Sequence, residues 1–487
     1  MMRSMFSGVT GLRTHQSRMD VIAHNIANVN THGFKASRMT FADAFSQTLR
    51  GASGPNPDVG RGGTNPMQVG LGVNVSSIQR QMAPGAAQRT DDPFHLMIEG
   101  DGFFVVGDDV NGLFFTRAGD FQRDAHWNIH AANGMLLQGW PARWDNGNPF
   151  HATGEIRQPV RGPVEGIQID PFMRNVPPRA TGNVDFIGNI RYSDAISPDN
   201  PHGLLSTVTF QDSLGTTYQL SIRFNWVTNR GDGATPAEGW QVQVYNRMIR
   251  TEDNTTLPPT TDAAGAAIAG LQWSGAAVPG SPGWHVMTNI NFNENGRPDI
   301  PATSNPFIVD MQITDAATLA HFPPGVYFGQ IPAGGAEADR AIRVDFSAMT
   351  QHAGNTNVTQ HTQDGLAPGN LIGLSVGADG IITGSYSNGQ SFPLWQVVLA
   401  QFDNPAGLAA MGANMFAVTV NSGDFDGVGL TPGGAGTQLL GGTLEMSNVD
   451  LAAEFTEMIT TQRGFQANSR IISTSDELLQ ELVNLRR

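Results

Sequence analysis

Few positions in this chain of 487 residues combine the residue types and the spacing that catalysis needs. Residues 373–377 read Gly-Leu-Ser-Val-Gly and match the G-x-S-x-G pattern, in which a strained turn between a strand and a helix presents a nucleophilic serine. A turn-like segment at 378–380 and a strand-like pair at 381–382 follow, so the required helix is missing. An esterase that uses Ser375 is therefore the weakest of the functions considered.

The metal-binding and phosphate-binding patterns are also incomplete. Asp424, Asp426 and Gly427 are similar to part of a calcium loop, but the spacing of an EF-hand and its closing Glu are missing. None of the 12 His residues is followed by Glu, which excludes the H-E-x-x-H zinc motif. Lys35 is the only lysine and follows Phe34, so the Gly-Lys-Ser/Thr of a phosphate-binding loop cannot occur. The sequence predicts no catalytic residue, no metal site and no cofactor.

The composition excludes two classes of partner. The chain carries 28 basic and 43 acidic residues, a net charge of −15, and no cluster of Lys and Arg, so we expect no nucleic-acid partner. No run of 18 apolar residues occurs, so we expect no membrane insertion. Arg13, His15 and Arg18 interrupt any apolar stretch near the N-terminus, so no cleaved secretion signal is expected.

Both ends of the chain show the seven-residue period of paired helices. The recurring apolar positions are Met5, Leu12, Met19 and Ile26 with Val9 at one end, and Leu451, Met458, Phe465, Ile472 and Leu479 with Phe455 at the other. Burying such a side chain gives roughly 1.5–3 kcal/mol, while ordering each residue costs about 1 kcal/mol or more. These helices should therefore fray in isolation, and the pattern predicts that the listed residues line an assembly interface. The alternative is that both helices pack on a globular core.

Between the ends, alternating apolar residues and turn signals predict strands. The strand-like runs are 103–106, 113–116, 206–227, 240–245 and 394–402. Asn-Gly pairs at 111–112, 133–134, 146–147, 295–296 and 388–389 predict type I′ hairpin turns. The predicted fold class is therefore multidomain and mainly β, with long α-helical coiled-coil termini and nested β domains between the terminal helices.

The changes of pattern along the chain predict four units. They are a terminal helical coiled-coil domain (1–30 with 445–487), a connector (31–75 with 405–444), a middle β domain (76–180 with 343–404) and an inserted outer β domain (181–342). The connector includes a Gly-rich segment at 51–72.

The terminal segments resemble the flagellar rod and hook protein family. The N-terminal match runs through 7–12 and 19–35, and the C-terminal match through 444–451 and 462–468. The motif positions within these segments are Asn25, Asn28, Asn30, Gly33 and Phe34, then Ser447, Asn448, Val449, Gln462 and Arg463. Inner segments at 65–70, 212–215, 386–389 and 399–408 resemble the hook members more than the rod members.

This resemblance implies a structural subunit that polymerises with itself into a curved tube and passes motor torque to a filament. It implies terminal helices in an inner tube, a middle β shell and an outer inserted domain. The implied partners are the distal rod, the hook cap, the hook–filament junction proteins and the flagellar type III export apparatus. Two alternatives stay open: a distal rod or other axial protein, and a secreted binding module or adhesin with coiled-coil ends.

Overall fold

The long helices lie at the two ends of the chain, where the sequence places them. The computed structural model describes residues 2–55, 62–108, 112–143, 156–191, 193, 203–227, 239–257, 283–299, 308–311, 328–330, 341–434 and 436–484. The helices are α1 (Met2–Ala27), the single-turn α2 (Pro171–Arg174) and α3 (Leu451–Asn484). No helix in these ranges is long and apolar enough to cross a membrane.

Both long helices are shorter than predicted at the ends that face the β domains. α1 ends at Ala27, before the predicted end at residue 30, and turns follow it. α3 starts at Leu451 because the Asp450 carboxylate accepts the backbone N–H of Ala452 at 2.9 Å, which caps the helix. Residue 445, the predicted start, belongs to a strand.

Two antiparallel strand pairs follow α1. The strands are β1 (Ser37–Asp43), β2 (Ser46–Arg50), β3 (Met67–Gly70) and β4 (Val73–Arg80). β1 pairs with β4 and packs with it against α1, while β2 and β3 form an exposed hairpin. The predicted connector thus contains ordered strands on its N-terminal side.

The next strands build the first half of the middle domain. They are β5 (Ala87–Arg89), β6 (Leu96–Glu99), β7 (Phe103–Asp108), β8 (Gly112–Thr116), β9 (Gln122–Arg123), β10 (Ile129–His130), β11 (Leu136–Pro141), β12 (Glu165–Gly166) and β13 (Asn175–Val176). β7 is central, because its alternate residues enter two different cores: Phe103 and Val105 on one face, Phe104 and Val106 on the other.

The inserted domain consists of two sheets packed face to face. Its strands are β14 (Asn183–Asn189), β15 (Leu204–Gln211), β16 (Thr217–Val227), β17 (Gly239–Arg250), β18 (Thr255–Leu257), β19 (Trp284–Ile290), β20 (Ile308–Met311), β21 (Ile342–Thr350) and β22 (Thr359–Gln363). One sheet has the order β20-β21-β14-β22, and β15 to β19 form the other. Alternate buried residues such as Phe186, Ile222 and Phe346 join the two sheets in one core.

The chain then returns to the middle domain. The strands are β23 (Gly369–Val376), β24 (Ile381–Tyr386), β25 (Ser391–Val397), β26 (Leu399–Ala400), β27 (Ala409–Gly412), β28 (Met415–Ala417), β29 (Gln438–Gly441) and β30 (Thr443–Glu445). The principal sheet has 13 strands, with β13-β23-β24-β25-β11-β7-β8-β28-β27 as its main path. The prediction of a mainly β chain with a long helix at each end is confirmed.

Two predicted boundaries do not coincide with the sheets. The predicted middle domain includes residues 343–363, but β21 and β22 flank β14, and Val344, Phe346 and Met349 lie in the inserted core. The predicted connector includes residues 405–444, but β27 and β28 belong to the middle sheet, while β29 and β30 pair with β6 and β5. Short strands such as β28 have too few residues to show an alternating pattern.

The described Asn-Gly turns are one residue longer than the predicted type I′ turns. At 133–134 the Gly134 N–H donates to Ala131 O at 2.8 Å, and the glycine alone has a positive φ, of 86°. The turns at 295–296 and 388–389 have the same hydrogen bond and the same left-handed glycine. This is a type I turn closed by a glycine bulge. Asn111 and the pair at 146–147 lie outside the described residues.

Candidate assembly interface

α1 and α3 pack against each other in antiparallel directions. Near one end of the pair the Arg18 guanidinium lies 3.0 Å from the Glu457 carboxylate, and Asn25 Nδ2 donates to Glu454 Oε1 at 2.9 Å. Near the other end the hydroxyls of Ser4 and Ser475 are 3.5 Å apart. In the contacting pairs, residue numbers therefore increase along α1 as they decrease along α3. The two ends of the chain form one structural element.

Small residues line the centre of this helix contact. A Cβ atom added at Gly464 would lie 2.7 Å from the His15 ring, and one added at Gly11 would lie 2.7 Å from the Asn468 side chain. Both distances are shorter than van der Waals contact. The helices approach closely because glycine presents no side chain at these positions.

The apolar rows expected from the seven-residue period are only partly used in this pairing. On α3 the row Met458, Phe465, Ile472 and Leu479 is half-buried, and Ile472 lies against Gly8. On α1 the buried positions are Gly8, Gly11, Thr14, Ile22 and Asn25. The predicted row Met5, Leu12, Met19 and Ile26 is only half-buried, and Val9 is exposed. Within one subunit, the pairing face of α1 thus differs from the apolar row found in the sequence.

Large apolar side chains remain uncovered on both helices. Phe6 is 64% exposed, Phe455 is 51% exposed and Ile459 is 58% exposed. Val9, Leu451, Ile471 and Leu478 are also exposed. Phe455 and Ile459 are four residues apart in a helix and therefore share one face, and an exposed apolar face is typical of a surface that another protein covers.

Two asparagines of the family motif join the helix pair to the strands. Asn25 Nδ2 donates to Ser37 O at 2.8 Å, and its Oδ1 accepts the Ser37 N–H at 3.0 Å. Asn448 Oδ1 accepts the Ala36 N–H at 2.8 Å, and its Nδ2 donates to Gln81 O at 2.8 Å. Each amide thus serves backbone groups of another segment, which fixes α1 to β1 and the start of α3 to the chain after β4.

The motif residues after α1 form the joint with the middle domain. Gly33 has a φ of +68°, and a Cβ atom there would lie 2.5 Å from the backbone N of Ala118, so only glycine fits. The Gly33 N–H donates to Glu445 O at 2.8 Å. Phe34 is buried, with its ring 5.4 Å from the His24 ring. This segment therefore contacts both the helix pair and the middle domain.

Other motif residues have smaller roles within the subunit. Asn28 Nδ2 donates to His24 O at 2.9 Å, and Asn30 is exposed. The Ser447 hydroxyl accepts the Val449 N–H at 3.3 Å just before α3. Gln462 and Arg463 lie exposed on α3. Asn30, Gln462 and Arg463 are thus available to contacts outside the subunit.

A buried cluster of three charges lies at the joint. Lys35 Nζ donates to Glu445 Oε1 at 2.6 Å and to Ala83 O at 2.8 Å. The Arg117 guanidinium lies 3.6 Å from Glu445 Oε2, and all three side chains are nearly inaccessible to solvent. Burial lowers the pKa of Lys35 and that of Arg117, while the Glu445 carboxylate opposes both shifts. The cluster thus connects the segment after α1, which contains Lys35, with the end of β30 at Glu445 and with Arg117, the residue after β8.

The patterns that suggested catalysis or metal binding have structural explanations. Ser375 is exposed near the end of β23, and a turn leads from it to β24, so no helix follows the serine. The Asp426 carboxylate accepts the N–H groups of Val428 and Gly429 at 3.0 and 2.7 Å, and these bonds lower its pKa. Within the described ranges, no three His, Asp or Glu side chains are grouped to hold a metal ion.

The sequence analysis did not identify several residues that form the contact between α1 and α3 and the joint with the middle domain. Gly8, Gly11 and Gly464 define the helix contact, yet glycine carries no apolar signal. The spacing of Gly8 and Gly11, three residues apart in a helix, places both on one face and was the available signal. Nothing in the sequence pairs Arg117 with Glu445, because their contact depends on the tertiary fold.

Four family models match successive stretches of the chain. They are described as flagella basal body rod protein (residues 5–35), flagellar hook protein FlgE/F/G D1 domain (97–186), flagellar basal body protein FlaE D2 domain (193–366) and flagellar basal body rod FlgEFG protein C-terminal (440–485). The first and last cover the helical ends, and the two inner models cover parts of the middle domain and the inserted domain. The chain is thus built like an axial protein of the bacterial flagellum.

Full-length relatives narrow this class. The flagellar hook protein FlgE of Borreliella burgdorferi is 36% identical over 494 residues, covering 100% of both chains. The FlgE of Treponema pallidum is 36% identical with the same coverage, and that of Salmonella typhimurium is 28% identical over 99% of this chain and 100% of its own. Among solved structures, Helicobacter pylori FlgE2 matches 72% of this chain and 98% of its own with a TM-score of 0.44 at 12% identity. The chain belongs to the flagellar hook protein family, which is structural and not enzymatic.

Proposed function

We propose that this hook subunit builds a curved, flexible helical tube through its terminal helices, and that the tube acts as a universal joint between motor and filament. In this arrangement α1 and α3 form coiled-coil contacts in an inner layer, the middle domain forms a shell around them, and the inserted domain forms the outer surface. The apolar faces on the helix pair carry the proposal. They lie on both long helices, which are the elements expected to need a partner surface.

The pairing face and the exposed apolar residues of each helix then have separate uses. Small and polar residues such as Gly11, Thr14 and Thr461 serve the contact within a subunit, where they are buried. Exposed residues such as Phe6, Phe455 and Ile459 are left for contacts between subunits. Met5, Leu12, Met19 and Ile26 are half-buried beside the pairing face, and we assign them to the border of the same intersubunit contact. If different surfaces of neighbouring subunits meet in this way, the contact repeats from one subunit to the next and gives a head-to-tail assembly.

The family also supplies the expected neighbours. Subunits would leave the cytoplasm unfolded through the flagellar type III export apparatus. They would assemble beneath the hook cap, between the distal rod and the hook–filament junction proteins. The resemblance of the chain ends to rod proteins supports a contact with the distal rod, since similar helices can continue the same packing.

Substitutions on the uncovered helix face test this proposal. Phe455→Glu and Ile459→Glu should each stop polymerisation, because a charge would be buried between subunits. Phe172→Glu is the matched control, since Phe172 is 68% exposed but lies on α2 of the middle domain. Electron microscopy of the purified full-length proteins should show curved tubes for the parent chain and the control only. Normal tubes from both helix variants would refute the proposed interface, while straight parent tubes would favour a rod protein.

A further inference from the structure

The loop after α1 crosses the surface of the middle domain between two cavities. One cavity, of about 310 Å³, is lined by His32, Ala118, Asn133 and Asn414 among others. The other, of about 290 Å³, is lined by Asn28, Arg80, Asn414 and Phe416 among others. Asn414 borders both cavities. The loop therefore has open space on each side of its contact with this residue.

The β27–β28 hairpin makes two contacts with the terminal unit, by which we mean α1, α3, β1, β4 and the loop 28–34. Asn414 Nδ2 donates to His32 O at 2.8 Å. The Arg80 guanidinium at the end of β4 lies 5.2 Å from the centre of the Phe416 ring. Both contacts come from one hairpin, and both partners belong to the terminal unit.

The tip of this hairpin has an unusual backbone. Ala413 and Asn414 have φ values of 49° and 57°, the left-handed conformation that both central residues of a type I′ turn require. Asparagine tolerates this conformation, but alanine does not favour it. Thr116 Oγ1 donates to Asn414 O at 3.0 Å and holds the turn against β8. The turn is thus strained, is held to β8 by the Thr116 hydroxyl and donates one side-chain N–H to the loop after α1. Backbone strain of this kind is concentrated at functional contacts.

We propose that Asn414 is a positioning residue, a latch that holds the terminal unit at one angle to the middle domain. The proposal rests on the hook function proposed above, in which subunits around a bent tube must differ slightly in conformation. The buried cluster of Lys35, Arg117 and Glu445 is the pivot, because buried paired charges separate at high cost. Release of the Asn414 contact lets the loop move into the flanking cavities while the pivot stays closed.

Three variants separate the Asn414 contact from the turn that carries it. In Asn414→Gly and Asn414→Asp the new residue tolerates the left-handed conformation but lacks the side-chain N–H that Asn414 donates to His32 O. Ala413→Gly is the matched control, because it keeps the donor and relieves the backbone strain. All variants are made in the full-length chain and checked for an unchanged circular dichroism spectrum.

Hydrogen exchange of the unassembled chain gives the first measurement. The Thr31 and Phe34 amides close turns within the loop through Asn28 O and Thr31 O. Loss of a single hydrogen bond should speed their exchange by about two- to tenfold in both Asn414 variants, with no increase for Ala413→Gly. Unchanged exchange in both Asn414 variants would overturn the latch, as would an equal increase in the control.

Electron microscopy of the assembled tubes gives the second measurement. Tubes of the Asn414 variants should differ from parent tubes in curvature, whereas Ala413→Gly tubes should match the parent. Parent-like curvature in the Asn414 variants would overturn the latch even if exchange is faster. A parent chain that forms no tubes would instead contradict the proposed function, so the two failures can be told apart.

Discussion

Lys35, Arg117 and Glu445 place two positive charges and one negative charge in a space that water hardly reaches. The Glu445 carboxylate is the main anion for both cations, with a smaller attraction from Asp101 on Arg117, and it also accepts the Gly85 N–H at 2.8 Å. Such a cluster adds little net stability compared with apolar packing. Removing its negative charge is nevertheless strongly destabilising, because buried positive charges are then left uncompensated. The joint between the chain ends and the middle domain thus depends on Glu445 more than on either cation.

Glu445→Gln should therefore destabilise the chain more than Lys35→Met does. The first change removes the one carboxylate that lies next to both buried cations, at about 3–5 kcal/mol. The second leaves Arg117 and Glu445 balanced and removes hydrogen bonds, at about 1–3 kcal/mol. Urea denaturation of the two full-length variants beside the parent measures both changes. A larger loss in Lys35→Met would contradict the argument.

The pH dependence of the same variant gives an independent check. Burial already lowers the pKa of Lys35, and Glu445→Gln removes the charge that opposes this shift. The folded state then binds fewer protons at Lys35 than the unfolded state, whose pKa is about 10.4. Stability of Glu445→Gln should accordingly rise, relative to the parent, as pH increases towards that value. If the loss of stability in Glu445→Gln does not change with pH, the titration of Lys35 does not contribute to it.

At the scale of elements, the α1–α3 contact includes a histidine that can titrate. His15 packs against Gly464 of α3, and its ring centre lies 5.6 Å from that of Phe41 in β1. Its Nδ1 is buried without a hydrogen-bond partner. Burial and the nearby Arg18 charge both lower the pKa of His15. The neutral ring is thus the form that the helix pair accommodates.

The helix pair should therefore weaken in acid, and His15→Gln should remove this dependence. Because the folded pKa lies below the unfolded value of about 6.5, pairing is at full strength above that pH. It is lost progressively as pH falls through the lowered folded pKa. Helix content and hydrogen exchange of α1 between about pH 8 and pH 5 measure the effect. The same acid loss in parent and variant would show that other groups cause it.

The helices and strands differ in how far their contacts follow from sequence. The alternation in β16 predicts its buried residues, because a strand has only two faces and a large apolar residue marks the inner one. The pairing face of α1 could not be found in this way, because Gly8 and Gly11 act through the absence of a side chain. The Asn-Gly turns were located, but their length depends on the register of the flanking strands. The motif asparagines bind backbone groups distant in sequence, a role that residue type alone does not specify.

At the scale of the whole molecule, two chain segments connect the two β domains, and hydrogen bonds join these segments to each other. Arg179 and Leu366 exchange backbone hydrogen bonds of 2.9 Å between the two crossing segments. The Asp364 carboxylate accepts the N–H of Gly182 at 2.7 Å and lies 3.7 Å from the Arg179 guanidinium. A Cβ atom at Gly215 would lie 2.4 Å from Pro368. The two crossing segments and the Gly215–Pro368 contact therefore hold the two β domains together at more than one point.

The same connection defines where the inserted domain can be separated from the chain. β14 is hydrogen-bonded to β21 on one side and to β22 on the other. A fragment of residues 176–368 contains both neighbours, with Val344, Phe346 and Met349 of the core. A fragment of residues 181–342, cut at the boundaries expected from sequence, lacks both strands and leaves β14 with unpaired edges and one side of the core open.

The longer fragment should therefore fold alone, and the shorter one should not. Removing three large core side chains costs about 2–5 kcal/mol each, which approaches the whole stability of an ordinary domain, about 5–15 kcal/mol. Near-ultraviolet circular dichroism and thermal unfolding of both fragments measure this: the longer fragment should give a cooperative transition. A cooperative transition in the shorter fragment would mean that β15 to β19 suffice for folding, so that the sheet around β14 belongs to the connection between the domains. Failure of both fragments would mean that the inserted domain needs the middle domain for its stability.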